Sequence, residues 1–130
     1  MAASDPAADA ASQRRAWLAA GALVAAAIVW LSLTPSPPQA GVEHEDKVGH
    51  VVAYGALMYC LYRGAVSRAA RLAFAAASLA MGIGLEFAQD WLGYRHREIA
   101  DIVANAAGVA LGWAVPGLAR RRDSAPVRGR

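Results

Sequence analysis

Three apolar stretches of this 130-residue chain carry polar side chains at helical spacing. The polar residues are Asp46, His50 and Tyr54 in the first stretch, Glu86 and Gln89 in the second, and Asp101 and Asn105 in the third. Residues three or four positions apart lie on one face of a helix, so each stretch presents its polar groups as a stripe. Ionisable groups in a membrane span cost about 2.5 to 3.5 kcal/mol, which favours a functional role for them.

The first chemistry that these residues predict is proton transfer. We predict His50 as the general acid or base, with Glu86 or Asp101 orienting its ring. Glu86 lies at the C-terminal end of its predicted helix, where the helix dipole disfavours a carboxylate, so capping of that helix does not explain it. We therefore expect His50, Glu86 and Asp101 to form a catalytic group.

The surrounding polar residues are expected to bind a substrate. Lys47 and Arg95 would hold phosphate or carboxylate, because arginine contacts such oxyanions in a bidentate manner. Tyr54 and Asn105 would donate hydrogen bonds. The full expected binding set is Asp46, Lys47, Tyr54, Gln89, Arg95 and Asn105.

Structural roles compete with these assignments. Asp46 is explained more simply as a cap of its helix. Glu98 and Asp101 would complement the positive end of the fourth predicted helix, which begins beside them. Gly108 and Gly112 form a G-x-x-x-G pattern, which is typical of close helix packing. A metal held by His50, Glu86 and Asp101 is the less favoured alternative. The sequence contains no compact ligand spacing such as H-E-x-x-H, so we predict neither a metal nor another cofactor.

Long apolar runs form the elements that must position these residues. The run Ala16–Leu33 is uncharged and 18 residues long, about 27 Å as a helix, which is close to the roughly 30 Å hydrocarbon thickness of a membrane. Three more runs follow at Lys47–Tyr62, Leu72–Leu92 and Ile99–Val115. They exceed typical strand lengths and lack β alternation, which predicts an all-α bundle of four transmembrane helices.

Polar segments flank the predicted bundle. Residues 1–13 are mostly small and polar, and we predict a disordered tail there. Residues 14–119 form the predicted membrane domain, and residues 120–130 a basic tail. The single Cys60 excludes an internal disulfide, and the arginines flank helices instead of forming a basic face, which argues against a nucleic-acid partner.

The basic residues are distributed unequally between the two sides of this bundle. Four spans place the N-terminus, the second connector and the C-terminus on one side, with ten of the 13 Lys and Arg residues. These ten are Arg14, Arg15, Arg63, Arg68, Arg71, Arg120, Arg121, Arg122, Arg128 and Arg130. The positive-inside rule then puts both termini in the cytoplasm and brings His50, Glu86 and Asp101 to a common depth near the outer face.

A composite motif links the polar residues to a known family. Its parts are Asp46-Lys47-x-x-His50-x-x-x-Tyr54-x-x-Leu57, Glu86-x-x-Gln89, Arg95, and Asp101-x-x-x-Asn105-x-x-Gly108. Across roughly Leu31 to Trp113 the chain resembles the VanZ family of bacterial integral membrane proteins. The resemblance implies a plasma-membrane location, and the founding member of the family is associated with low-level resistance to the glycopeptide teicoplanin.

Two functions are compatible with these observations, and the sequence leaves open whether the chain is an enzyme. In the first, an outer-face pocket binds or modifies an anionic, lipid-linked molecule of the cell envelope, with a lipid-linked precursor or a glycopeptide as partner. In the second, the polar residues form a closed network that fixes the helix register of a non-enzymatic scaffold. A proton or solute path is a weaker option, because the inner half of each predicted span has no ionisable residue.

Overall fold

The computed structural model describes residues 5–34, 45–93 and 98–123. Within these ranges, residues 45, 46 and 120–123 are described by their backbone alone. These residues form four helices, which are α1 (Pro6–Leu33), α2 (Glu45–Gly64), α3 (Arg68–Trp91) and α4 (Ile99–Asp123). No strand occurs within the described ranges. The predicted all-α class is therefore confirmed.

Helix α1 begins ten residues before the predicted first span. The Asp5 carboxylate accepts a hydrogen bond from the Ala7 backbone N–H at 2.9 Å, and Pro6 occupies the first helical turn. Both features are strong helix-start signals, and the alanines that follow have the highest helix propensity. Residues 6–13, which we predicted to be disordered, instead form the first turns of α1.

The other helices follow the predicted runs and extend them, except that α3 ends at Trp91, one residue before the end of its run. Helix α3 begins after Ser67, whose hydroxyl accepts a hydrogen bond from the Ala70 backbone N–H at 3.0 Å, and the chain leaves it at Gly93, where φ is +71°. A positive φ favours glycine, so this residue suits the end of a helix. Helix α4 continues past its predicted end through Pro116, and residues 120–123 of the predicted tail belong to it.

Three described helices are long and apolar enough to cross a membrane, as judged by length and composition. They are α1, α3 and the segment Ile99–Ala119 of α4. Their outer surfaces expose large apolar side chains such as Leu23 and Trp30, which is compatible with contact to lipid. Helix α2, which we also predicted to span the membrane, is less apolar than the other three because residues 45–50 include four polar side chains.

Helix α2 contacts each of the other three helices, and its largest interface is with α4. The two helices run parallel, since Gly55 lies against Gly108 and the Tyr62 ring packs against Trp113 further along. A Cβ added to Gly108 would lie 2.5 Å from the Val51 carbonyl oxygen, so the two backbones are in contact. The packing role predicted for the G-x-x-x-G pattern is confirmed.

Helices α1 and α3 run in one direction and α2 and α4 in the other, which gives the bundle two distinct ends. We call the end that holds His50 and Asp101 the polar end, and the end that holds Arg14, Arg63 and Arg71 the basic end. The buried core between them consists of Ile28, Tyr54, Leu57, Met58, Tyr62 and Val109.

Candidate functional site

At the polar end, three helices bring together the three residues that we predicted to be catalytic. His50 comes from α2, Glu86 from α3 and Asp101 from α4. Each offers one nitrogen or oxygen atom, and these atoms all lie within 4.8 Å of one another. This convergence needs three helix ends at the same end of the bundle, namely the start of α2, the end of α3 and the start of α4. The predicted helix directions place them there. With Asn105, we call this set the polar cluster.

The carboxylates of the polar cluster lie deep in the bundle. Glu86 is 2% exposed, Asp101 1% and Asn105 2%, whereas His50 is only half-buried. Buried carboxylates are expensive unless positive charge or hydrogen-bond donors compensate for lost hydration. His50 is therefore the member of the cluster through which a ligand or water would most readily communicate with the buried acids.

A hydrogen bond to Asn105 orients the His50 ring. The His50 Nδ1 atom lies 2.8 Å from the Asn105 Oδ1 atom. Because an amide oxygen only accepts hydrogen bonds, Nδ1 carries the proton and donates. In the neutral ring the Nε2 atom therefore carries no proton, which is the protonation state that a general base requires.

The sequence prediction placed His50 and Asn105 on converging stripes but did not pair them. Their pairing depends on the register between α2 and α4, which the close glycine contacts of that interface determine. Sequence spacing within one helix carries no information on that register.

A glycine on α3 makes room for two further residues of the predicted site. A Cβ added to Gly82 would lie 2.8 Å from the Asn105 Nδ2 atom and 3.1 Å from the Tyr54 hydroxyl oxygen. Tyr54 is 2% exposed, so its hydroxyl is held inside the bundle next to this backbone. The absent side chain at Gly82 thus lets Tyr54 and Asn105 approach the same turn of α3 as Glu86.

The start of α4 supports the carboxylate of Glu86. The Glu98 backbone N–H is close enough to favour the charged form of this carboxylate, and the Asp101 N–H donates a hydrogen bond to the Glu98 carbonyl at 3.1 Å. A helix start offers unpaired N–H groups and the positive end of the helix dipole. The dipole of its own helix disfavours the Glu86 carboxylate, whereas the start of α4 beside it favours a negative charge. The spacing within one helix could not show that a second helix begins there.

An ion pair borders the polar cluster on its more exposed side. The Lys47 Nζ atom lies 3.3 Å from a Glu98 carboxylate oxygen, and these side chains are 37% and 49% exposed. Exposed pairs of this kind contribute only about 0 to 1 kcal/mol, so this ion pair adds little to the stability of the fold. The pairing of Lys47 with Glu98 was not predicted, because it links residues 51 positions apart on two helices.

Gln89, which we predicted to bind substrate, has a structural partner. Its Nε2 atom donates a hydrogen bond to the Ser32 carbonyl oxygen at 2.8 Å. This contact ties the end of α3 to the end of α1. The sequence pattern could not indicate Ser32, because Ser32 takes part through its backbone carbonyl and any residue has one.

Two residues of the expected binding set cannot be placed in full. Arg95 lies outside the described residues, as does the side chain of Asp46. The backbone of Asp46 belongs to the first turn of α2, one residue after the helix begins at Glu45. The alternative that Asp46 caps this helix stays a prediction, and an acidic residue in the first turn complements the helix dipole.

The polar cluster also has the chemistry of a metal site. An imidazole nitrogen and two carboxylate oxygens are ligands that Zn²⁺ accepts, and here they come from three separate helices, not from one compact motif. Their mutual distances of up to 4.8 Å would need small side-chain adjustments around an ion. Our expectation of no metal, which rested on sequence spacing, stays a prediction.

Comparison with known proteins assigns no family to this geometry. No family model, no curated protein and no solved structure matches the chain. A function for the polar cluster must therefore follow from its own residues and their surroundings.

Proposed function

We propose that the chain is a VanZ-like integral membrane protein of the bacterial plasma membrane whose polar cluster acts on or binds an anionic, lipid-linked molecule of the cell envelope. The observation that carries this proposal is the convergence of His50, Glu86 and Asp101 within 4.8 Å at one end of an apolar bundle. Ionisable groups inside membrane helices are by default functional, because each costs several kcal/mol there.

The proposed topology has four spans with both termini in the cytoplasm. Helix α2 has 20 residues, about 30 Å, and is long enough to cross the hydrocarbon core. Because α2 contacts all three other helices, it needs less apolar surface than they do. The excess of arginine at the basic end supports a cytoplasmic position for that end, which places the polar cluster near the outer face.

The proposed chemistry is proton exchange at His50. The Nε2 atom accepts a proton from a hydroxyl group or water next to the anionic group of the ligand, while Nδ1 keeps its proton and its bond to Asn105. The neighbouring carboxylates of Glu86 and Asp101 stabilise the imidazolium that forms. Lys47 leaves Glu98 to bind the anionic group, and we include Arg95 as a second anion contact because of its type and sequence position.

A closed structural network is the second candidate, and the burial of the carboxylates favours it. Glu86, Asp101 and Asn105 are each at most 2% exposed, as expected of groups that only hold helices together. In this case the polar cluster fixes the register of a non-enzymatic scaffold. The two candidates differ in what a substitution does, since a network residue supports stability and a functional residue supports activity.

The proposal is tested by antibiotic susceptibility. We would express the parent chain and the variants His50→Gln, Glu86→Gln and Asp101→Asn in a teicoplanin-sensitive bacterium at equal membrane levels. The matched control is Asp90→Asn, which removes an exposed carboxylate from the same helix as Glu86. We expect the parent and the control to protect and the three cluster variants to fail.

Two results would count against the proposal. Equal protection by the parent and the well-inserted cluster variants would show that the polar cluster is not required for the activity. A parent chain that gives no protection would contradict the link to glycopeptide resistance.

A further inference from the structure

A second polar feature lies at the basic end of the bundle, far from the polar cluster. A cavity of about 580 Å³ opens between the start of α1, the ends of α2 and α4, and the start of α3. The residues that give it its chemistry are Arg14, Trp17, Tyr62, Arg63 and Arg71. We call it the basic cavity.

The basic cavity has a strong excess of positive charge. Three arginines line it, and its described lining residues include no aspartate or glutamate. The ion pair of Lys47 with Glu98 lies at the opposite end of the bundle. Arg14, Arg63 and Arg71 therefore face a common space without a neighbouring carboxylate among the described lining side chains.

Aromatic rings hold two of these guanidinium groups in position. The Arg63 guanidinium lies 5.2 Å from the centre of the Trp17 ring, and that of Arg71 lies 4.4 Å from the centre of the Tyr62 ring. Stacking on a ring uses the face of a guanidinium and leaves the N–H groups at its edge available. Tyr62 is itself fixed by an edge-on contact with Trp113, with 5.5 Å between ring centres.

One donor of the basic cavity needs an acceptor. The Nε atom of Arg71 is buried and has no hydrogen-bond partner in the described part of the chain. Buried donors without acceptors are rare and costly, about 1 to 3 kcal/mol each. An oxyanion in the cavity would bring acceptor oxygens to this side chain.

We propose that the basic cavity binds a phosphate group through Arg14, Arg63 and Arg71. Phosphate offers several acceptor oxygens and negative charge, which suits three arginines around one cavity, two of which are held against aromatic rings. Two sources share this chemistry, the headgroup of an anionic phospholipid and a free phosphate compound. The position of the cavity at the ends of long apolar helices favours the lipid, because headgroups lie at that level of a membrane.

Titration calorimetry on the full chain in detergent tests this proposal. The probes are a short-chain phosphatidylglycerol, a short-chain phosphatidylcholine and inorganic phosphate. The variant is Arg71→Gln, and the matched control is Arg68→Gln, which removes an exposed arginine three residues away that does not line the cavity. Helical content by circular dichroism shows that both variants are folded.

We expect the parent to bind phosphatidylglycerol and Arg71→Gln to bind it at least about fivefold more weakly, the size expected for one interfacial arginine. Arg68→Gln should change the affinity less than about twofold. Tight binding of phosphatidylglycerol but not of inorganic phosphate assigns the site to lipid, and binding of both with the same loss in Arg71→Gln assigns it to a phosphate of either source.

Several results would overturn the proposal. The first is that neither phosphatidylglycerol nor inorganic phosphate binds. The second is equal binding of phosphatidylcholine and phosphatidylglycerol, and the third is an equal loss of affinity in Arg71→Gln and Arg68→Gln. In the last case the attraction is due to general surface charge. None of these measurements involves the polar cluster, so they are independent of the function proposed for it.

Discussion

At the scale of single residues, the sequence predicted which side chains would meet but not how they would pair. The four-residue spacing and the helix directions were sufficient to bring His50, Glu86 and Asp101 to one depth. The bond between His50 and Asn105 depends on helix register, and the pairing of Lys47 with Glu98 depends on how two helix starts come together. Such pairings are properties of the packed bundle and are invisible in a one-dimensional pattern.

The orientation of His50 gives a prediction at this scale. Since Asn105 Oδ1 accepts from His50 Nδ1 at 2.8 Å, neutral His50 should be the Nδ1–H tautomer. The Asn105→Leu substitution removes the acceptor and should shift the ring towards a mixture of tautomers. Nitrogen-15 NMR of histidine-labelled protein measures this, with His50→Gln to assign the signal.

The control for this measurement is Asp90→Asn, which leaves the polar cluster intact and should leave the tautomer unchanged. An Nε2–H tautomer in the parent chain would contradict the assigned geometry and the proposed role of Nε2 as base.

At the scale of the helices, composition predicted their number and approximate position, and local chemistry decided their ends. The first turns of α1 were missed because residues 6–13 looked too simple to bury anything. They are helical because Asp5 and Pro6 start a helix that alanines propagate, and burial is not required for that. Helix α2 is less apolar than its neighbours because it lies among them and carries the polar residues at its start.

The interface between α2 and α4 gives a prediction at this scale. A Cβ at Gly108 would lie 2.5 Å from the Val51 carbonyl oxygen, which is backbone and cannot move aside alone. Gly108→Ala should therefore force the helices apart and lower stability by about 1 to 3 kcal/mol. The matched control is Gly49→Ala in α2, because a Cβ there meets no atom within 4 Å.

Thermal unfolding of the chain in detergent, followed by circular dichroism, compares the two variants. Gly49→Ala should unfold at or above the temperature of the parent, since alanine has the higher helix propensity. Equal midpoints for Gly108→Ala and Gly49→Ala would show that the two helices are not packed in backbone contact.

At the scale of the whole molecule, charge is segregated along the bundle. Buried carboxylates gather at the polar end, and arginines without acidic neighbours in the described lining surround the basic cavity at the other. The sequence predicted this separation through the counts of basic residues on each side, but not the cavity, since a cavity depends on how four helix ends diverge. The two ends therefore differ in their chemistry, with buried acids at one and arginines around a cavity at the other.

In our proposal the polar cluster is maintained for function and not to hold the helices together. A buried carboxylate that serves activity typically costs stability, and its neutral isostere keeps the shape of the side chain. Glu86→Gln retains an oxygen that can accept the Glu98 N–H and removes a charge that lies among Asp101 and Glu98 carboxylates. The two candidate functions therefore predict opposite effects of this one substitution on stability.

The most direct test is the unfolding midpoint of Glu86→Gln in lipid nanodiscs, measured beside the parent and the Asp90→Asn control. A functional cluster predicts a midpoint equal to or above that of the parent, together with loss of protection against teicoplanin. The opposite result is a midpoint of Glu86→Gln that lies more than about 5 °C below the parent, roughly 1 kcal/mol for a chain of this size, while Asp90→Asn is unchanged. That result would contradict a functional role and identify the polar cluster as a structural network.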